Sequence, residues 1–137
     1  MASDDLFDRI EGVFALEKLS SAGVGGALKL RILDDESLDT AHFEIRIGVG
    51  ELGEVELRLP KATARAKDGL LIVKLNEAQQ LASERVVARL GPPQIAPRGP
   101  GGPPVSYYRY PRPEGLLSFK IDDADQVVGV IVDRTGV

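Results

Sequence analysis

Apolar and polar residues alternate at every second position along most of this chain, and recur at every third or fourth along two stretches. The first such stretch places Leu6, Phe7, Ile10, Val13 and Phe14 on one side and predicts an amphipathic helix from Ser3 to Leu19. Ser3 stands where a cap is needed, and Asp4 and Asp5 suit the positive end of the helix. Ser20 to Gly26 reads as a Gly/Ser break. Strands follow. In Ala27–Leu33, Leu28, Leu30 and Ile32 share a face. In Ala41–Ile47, Phe43, Ile45 and Ile47 are expected inward, and His42, Glu44 and Arg46 outward. In Glu54–Leu59, Val55, Leu57 and Leu59 are expected inward. One apolar and one polar face per strand implies antiparallel pairing with one wet side. A weak strand at Ala62–Ala66 and a hairpin turn at Asp68-Gly69 lead into the apolar run Leu70–Leu75.

Asn76 opens the second helical stretch, with Gln79 three residues later in the capping-box position. Ala78, Leu81, Ala82, Val86, Val87 and Leu90 form its stripe. Gly91 and Pro92-Pro93 end it. A Pro/Gly-rich loop at about 91–105 leads to a short strand at Tyr107–Tyr110. A turn at Pro111–Gly115 opens the strand Leu116–Ile121, and Asp122–Asp125 turns into Val127–Asp133. The last strand is almost wholly apolar, so it is expected to be central and covered on both faces. The fold class is therefore α+β, a mostly antiparallel sheet with an N-terminal helix and a second helix at about 76–90. No internal repeat is visible.

Composition narrows this little. At 137 residues, one domain spanning 1–137 is expected. Aromatic residues are only 5%, so Leu, Val, Ile and Ala must build the core. There is no cysteine, which excludes disulfides, thiolate metal sites and a cysteine nucleophile. No apolar run is long enough to span a bilayer. The N-terminus is acidic and lacks the features of a signal peptide, so a cytoplasmic protein with no membrane partner is expected. Charge is unevenly spread. Residues 1–60 hold 13 acids against 6 bases, and residues 61–113 hold 3 acids against 9 bases. Such blocks complement each other within one chain, or between copies in a homo-oligomer.

Candidate chemistry is sparse. Gly48-Val49-Gly50-Glu51-Leu52-Gly53 matches G-x-G-x-x-G, but the dinucleotide reading requires a helix to start here, and Glu54–Leu59 alternates like a strand. The glycines instead read as a hairpin connection that uses positive φ. His42 is the sole histidine, with Glu44 two residues on. The pair sketches an acid–base site, without a nucleophile or second ligand. Asp34-Asp35-Glu36 and Asp122-Asp123-Ala124-Asp125 do not follow the calcium-loop pattern: counting from Asp123, the sixth position is Val128 and the twelfth Arg134. Asp at such places ordinarily caps turns. No metal or cofactor is expected.

The remaining feature is Tyr107-Tyr108-Arg109-Tyr110, followed by Arg112, inside a window that holds eight of the nine prolines. Tyr and Arg are the residues most enriched in interface hot spots. In an alternating strand Tyr108 faces one way, and Tyr107 and Arg109 the other. Aromatics interleaved with bases also suit single-stranded nucleic acid, but the pI of about 5.0 and the few aromatics argue against it.

The stretch from Leu75 to Asp133 has a further rhythm. A capped helix ends in Leu90-Gly91-Pro92-Pro93, and three strands follow at Tyr107–Tyr110, Leu117–Asp122 and Val127–Val130. This resembles the helix-plus-three-strand unit of the β-lactamase-inhibitor-protein-like fold. That group includes the small lipoprotein of outer-membrane β-barrel assembly, and related small domains occur among bacterial toxin-immunity proteins. The chain departs from the lipoprotein pattern in having no anchoring Cys. The resemblance implies a protein-binding module without catalysis. Three readings follow. The first is a non-enzymatic protein–protein interaction module, an immunity or adaptor protein, binding through Tyr107, Tyr108, Arg109, Tyr110 and Arg112. The second is a ligand binder or enzyme with a pocket near His42. The third is a single-stranded nucleic-acid binder.

Overall fold

The computed structural model describes residues 3–96 and 105–136. Its elements are α1 (Ser3–Phe14), α2 (Ser21–Leu28), β1 (Arg31–Ile32), β2 (Phe43–Gly50), β3 (Gly53–Pro60), β4 (Leu70–Leu75), α3 (Ser83–Leu90), β5 (Gln94–Ala96), β6 (Ser106–Arg112), β7 (Gly115–Ile121) and β8 (Val127–Asp133). All eight strands form one antiparallel sheet in the order β1-β2-β3-β4-β8-β7-β6-β5. The fold is α+β. Two four-strand meanders, each preceded by helix, meet back to back where β4 pairs with β8. The last strand is central, as its apolar run predicts.

The register sorts residues into two faces. Rows across the core face run Arg46–Leu57–Leu71–Val132–Leu117–Tyr110 and Gly48–Val55–Val73–Val130–Phe119–Tyr108. The helices lie on this side. Phe7 of α1 meets Phe119 edge-on at 6.1 Å, and the Tyr110 hydroxyl donates to the Gly91 carbonyl at the end of α3. Leu6, Ile10, Val13, Phe14, Val24, Leu28 and Val86 complete one continuous apolar core. The other face carries no helix among the described residues, so β8 is covered on one side only and Val128 and Ile131 stay half-buried.

Several expectations need correction. Helix α1 stops at Phe14 rather than Leu19, and its last turn is held by a side chain. The Arg134 guanidinium donates to the carbonyls of Val13, Leu16 and Glu17 at 3.3, 2.7 and 3.0 Å. It also pairs with Asp68 at 3.2 Å, and both side chains are about nine-tenths buried. A cation suits the negative end of a helix. Asp68 is therefore not an exposed turn residue; its carboxylate also accepts from the Leu19 and Gly69 amides. Residues 62–66 form no strand, so the link from β3 to β4 is a loop pinned at Asp68.

The Gly/Ser break is itself a helix. Ser20 caps α2 by accepting from the Gly23 amide at 3.0 Å, and Val24 and Leu28 are buried. Glycine's cost in a helix is offset here by close packing, with Gly12 of α1 against Ala27. The strand expected at Ala27–Leu33 shrinks to Arg31–Ile32 because Lys29 takes a left-handed conformation to end α2.

The helix expected over 76–90 is broken. Asn76 does cap a turn, but it is the short 3₁₀ turn Glu77–Gln79, and Gln80 then adopts φ 42°. Gln79 donates to the Glu51 carbonyl instead of closing a capping box. Leu81 and Ser83 bond the β7–β8 turn, through Ser83 N–H to Asp125 and Val127 N–H to Leu81, so the chain is extended there and α3 begins only at Ser83. Gly91 ends α3 with positive φ, as its position predicts. In the Pro/Gly-rich loop expected at about 91–105, Gln94–Ala96 instead pairs with β6 as an edge strand. Residues 97–104 of that loop lie outside the described residues, as does the Ser3 side chain expected to cap α1.

Candidate functional site

Strand β2 is turned over relative to its apolar pattern. Arg46, not Ile45 or Ile47, lies beside Leu57 and faces the helical side of the sheet, where it is 5% exposed. The acidic loop after β1 folds over it. Asp39 pairs with the guanidinium, Asp34 stands at 3.4 Å and Glu44 at 3.9 Å. The Ile45 amide, and after it Arg46, hold the Asp39 carboxyl below its ordinary value. Burying an arginine is tolerable only with such partners. Gly48 and Gly50 lie on the same face because Leu30 packs across them; a Cβ at Gly50 would come within 2.8 Å of the Leu30 Cβ. Only Gly53 of the glycine motif uses positive φ, at 141°, where a Cβ would strike the Lys74 carbonyl. The motif is thus a β2–β3 hairpin turning at Glu51-Leu52.

The inversion sends Phe43, Ile45, Ile47 and Val49 to the side without helices, and Val49 is 62% exposed. That open face has its own rows. One runs Glu54–Lys74–Gly129–Lys120–Tyr107, and the next Glu56–Ile72–Ile131–Ser118–Arg109. Leu70, Ile72, Val128, Ile131 and Leu116 are all half-buried there. A cavity of about 370 Å³ opens beside Gly129, lined by Ile72, Lys74, Tyr107, Lys120, Val128 and Ile131.

The five residues singled out from the sequence part company. Tyr107 and Arg109 are on the open face, Tyr107 in the cavity wall and Arg109 exposed. Tyr108 is half-buried on the helical face against the core. Tyr110 is buried there, edge-on to Phe119 at 6.0 Å, and burial raises its phenol pKa. Arg112 grips Glu11 of α1 with two bonds of 2.9 and 2.6 Å and lies 4.9 Å over the Phe14 ring. That bond lowers the Glu11 pKa. Arg89 likewise reaches Asp4 and Asp8, so acids of the N-terminal block meet bases of the middle block within one chain.

His42 is exposed in the loop before β2, its ring 2.9 Å from the Thr63 hydroxyl. The Asp122 carboxylate accepts from the Ala124 and Gln126 amides, which is turn capping. Ile72, Ile131 and Gly129 were not singled out from the sequence. Their one local signal is a glycine within an apolar strand, which marks a close approach or a gap. No family model, curated protein or solved structure matches this chain. No helix among the described residues is long and apolar enough to cross a membrane.

Proposed function

We propose that the protein is a non-enzymatic interaction module, of the immunity or adaptor kind, that holds another protein on its open sheet face. The observation behind this is the face itself. Eight strands present one side to the helices and leave the other with Phe43, Ile45, Ile47, Ile72, Ile131 and Tyr107 only partly covered. On this face β3 sets Glu56 and Arg58 between the β2 residues and a central patch of Leu70, Ile72, Ile131 and Leu116, and an apolar patch edged by charge marks interaction sites in soluble domains. The eight-stranded, continuously paired sheet is also a stiff platform, so little order is lost on binding. The β-lactamase-inhibitor-protein-like resemblance of residues 75–133 implies the same role. Tyr107 and Arg109 stay in the contact set. Tyr110 and Arg112 leave it, since both are engaged inside the fold.

Affinity purification from the native host, read by mass spectrometry, tests this. Wild type and the helix-side control Glu84→Ala should retain a common partner that Tyr107→Ala/Ile131→Ser loses, with the circular dichroism of all three unchanged. Recovery of the same proteins by all three would overturn the reading.

A further inference from the structure

We propose that the cavity at Gly129 receives one apolar side chain from an acidic segment of the partner protein. This deepens the open-face reading above and rests on it. Gly129 stands between Lys74 and Lys120 on the two neighbouring strands, and the Lys120 stem lies over it, 3.5 Å from where a Cβ would be. The floor is Ile72, Val128 and Ile131, and Tyr107 forms a wall. At about 370 Å³ the space lies near the lower end of ligand pockets, which run to roughly 300–1,000 Å³, and has room for one large apolar side chain.

The rim sets the charge of the occupant. Lys120 has Gly129 and Tyr107 for neighbours across the sheet, and Arg109 has Ser118 and Gln94. Neither these two nor Lys74 makes an ion pair among the described residues. Glu54, opposite Lys74, is the one carboxylate in the row. On β3, by contrast, Glu56 and Arg58 satisfy each other. Lys74 and Lys120 line the hole and Arg109 stands in the next row, against Glu54 and an already paired Glu56, so the free charge beside the hole is basic and complements carboxylates flanking an apolar anchor. A phosphate backbone fits less well. It needs a continuous basic track, and this face also carries Glu54, Glu56 and Asp133.

The test is an amide chemical-shift titration at low salt with four probes. These are the acetylated peptide Asp-Glu-Phe-Glu-Asp, its form with Ala for Phe, the basic peptide Lys-Lys-Phe-Lys-Lys, and a short single-stranded thymidine oligomer. The acidic Phe peptide should give saturable shifts at Lys74, Gly129, Lys120 and Tyr107. The Ala form should bind about tenfold more weakly, and the basic peptide should leave these amides in place. Lys120→Glu/Arg109→Glu should reverse the preference between the two Phe peptides while the remaining spectrum stays unchanged.

Equal shifts from the basic peptide or the oligomer would overturn the proposal. So would shifts confined to another surface, no saturable shift with any probe, or the same shifts produced by raising protein concentration alone. A partner captured from the host that is lost with Tyr107→Ala/Ile131→Ser but kept by Lys120→Glu/Arg109→Glu would also overturn it, and would leave the interaction-module reading standing.

Discussion

Arg134 and Arg112 show how much of this fold rests on single guanidinium groups. Arg134 closes the end of α1 and neutralises Asp68 in a buried site. Removing one partner of a buried pair leaves the other uncompensated, so Arg134→Met should cost about 3–5 kcal/mol, measured by urea unfolding. Arg112 is different because its partner Glu11 is half-exposed and water screens the pair. Glu11→Gln should cost about 1 kcal/mol or less near neutral pH. Its pKa is lowered in the folded state, first by the Arg112 hydrogen bond and opposed by burial. The pair's contribution is therefore full above the ordinary glutamate range and is lost as pH falls through and below it. Urea midpoints from pH 7 down to pH 3 should fall less steeply for Glu11→Gln than for wild type. The engagement of Arg112, like that of Tyr110, also limits what the Tyr/Arg motif can do. Arg112 and Tyr110 looked like binding residues because Tyr and Arg are frequent at interfaces, and nothing local showed that Glu11 and Gly91 wait about 100 and 20 residues away to engage them.

At the level of elements, β2 is the informative strand. Its alternation is plain, and the expectation that Phe43, Ile45 and Ile47 point inward follows from it. Side-chain period is two, so shifting register by one residue exchanges the faces of a strand. Pairing with β3 sets Arg46 beside Leu57, and the acidic loop supplies the partners that make this tolerable. Ile47 then belongs to the open face, and Ile47→Thr should cost about 1 kcal/mol, where Leu57→Ala should cost about 2–5 kcal/mol. Equal losses in chemical denaturation would return Ile47 to the core. The break between Gln79 and Ser83 has a related cause. Asn76 and the apolar stripe favour helix, but the β7–β8 turn takes up the backbone groups of residues 81–83.

For the whole molecule, the sheet order matters most. Strands β4 and β8 lie at the centre, and β1 and β5 are edges of two and three residues. Short edges give a second chain little to pair with, which directs association to the face. Native-state hydrogen exchange should find the amides of Val73 and Val130 among the last to exchange, and those of Arg31–Ile32 and Gln94–Ala96 among the first. Early exchange at Val130 would contradict this order. The two open-face rows that hold the cavity exist only because β4, from the first meander, lies beside β8, from the second.

Much of the fold was legible in local pattern. The strand positions of β3, β4, β6, β7 and β8, the helix stop at Gly91, the β2–β3 hairpin and the α+β class all follow from periodicity, capping and proline placement, which depend on residues a few positions apart. The candidate face was not legible. Which side of β2 is inward, whether Tyr110 is free, and that Gly129 lies between two lysines are each settled by partners far away in sequence. Side-chain alternation states that a strand has two faces, but only the packing of α1, α2 and α3 on one side of the assembled sheet determines which face is left for another molecule.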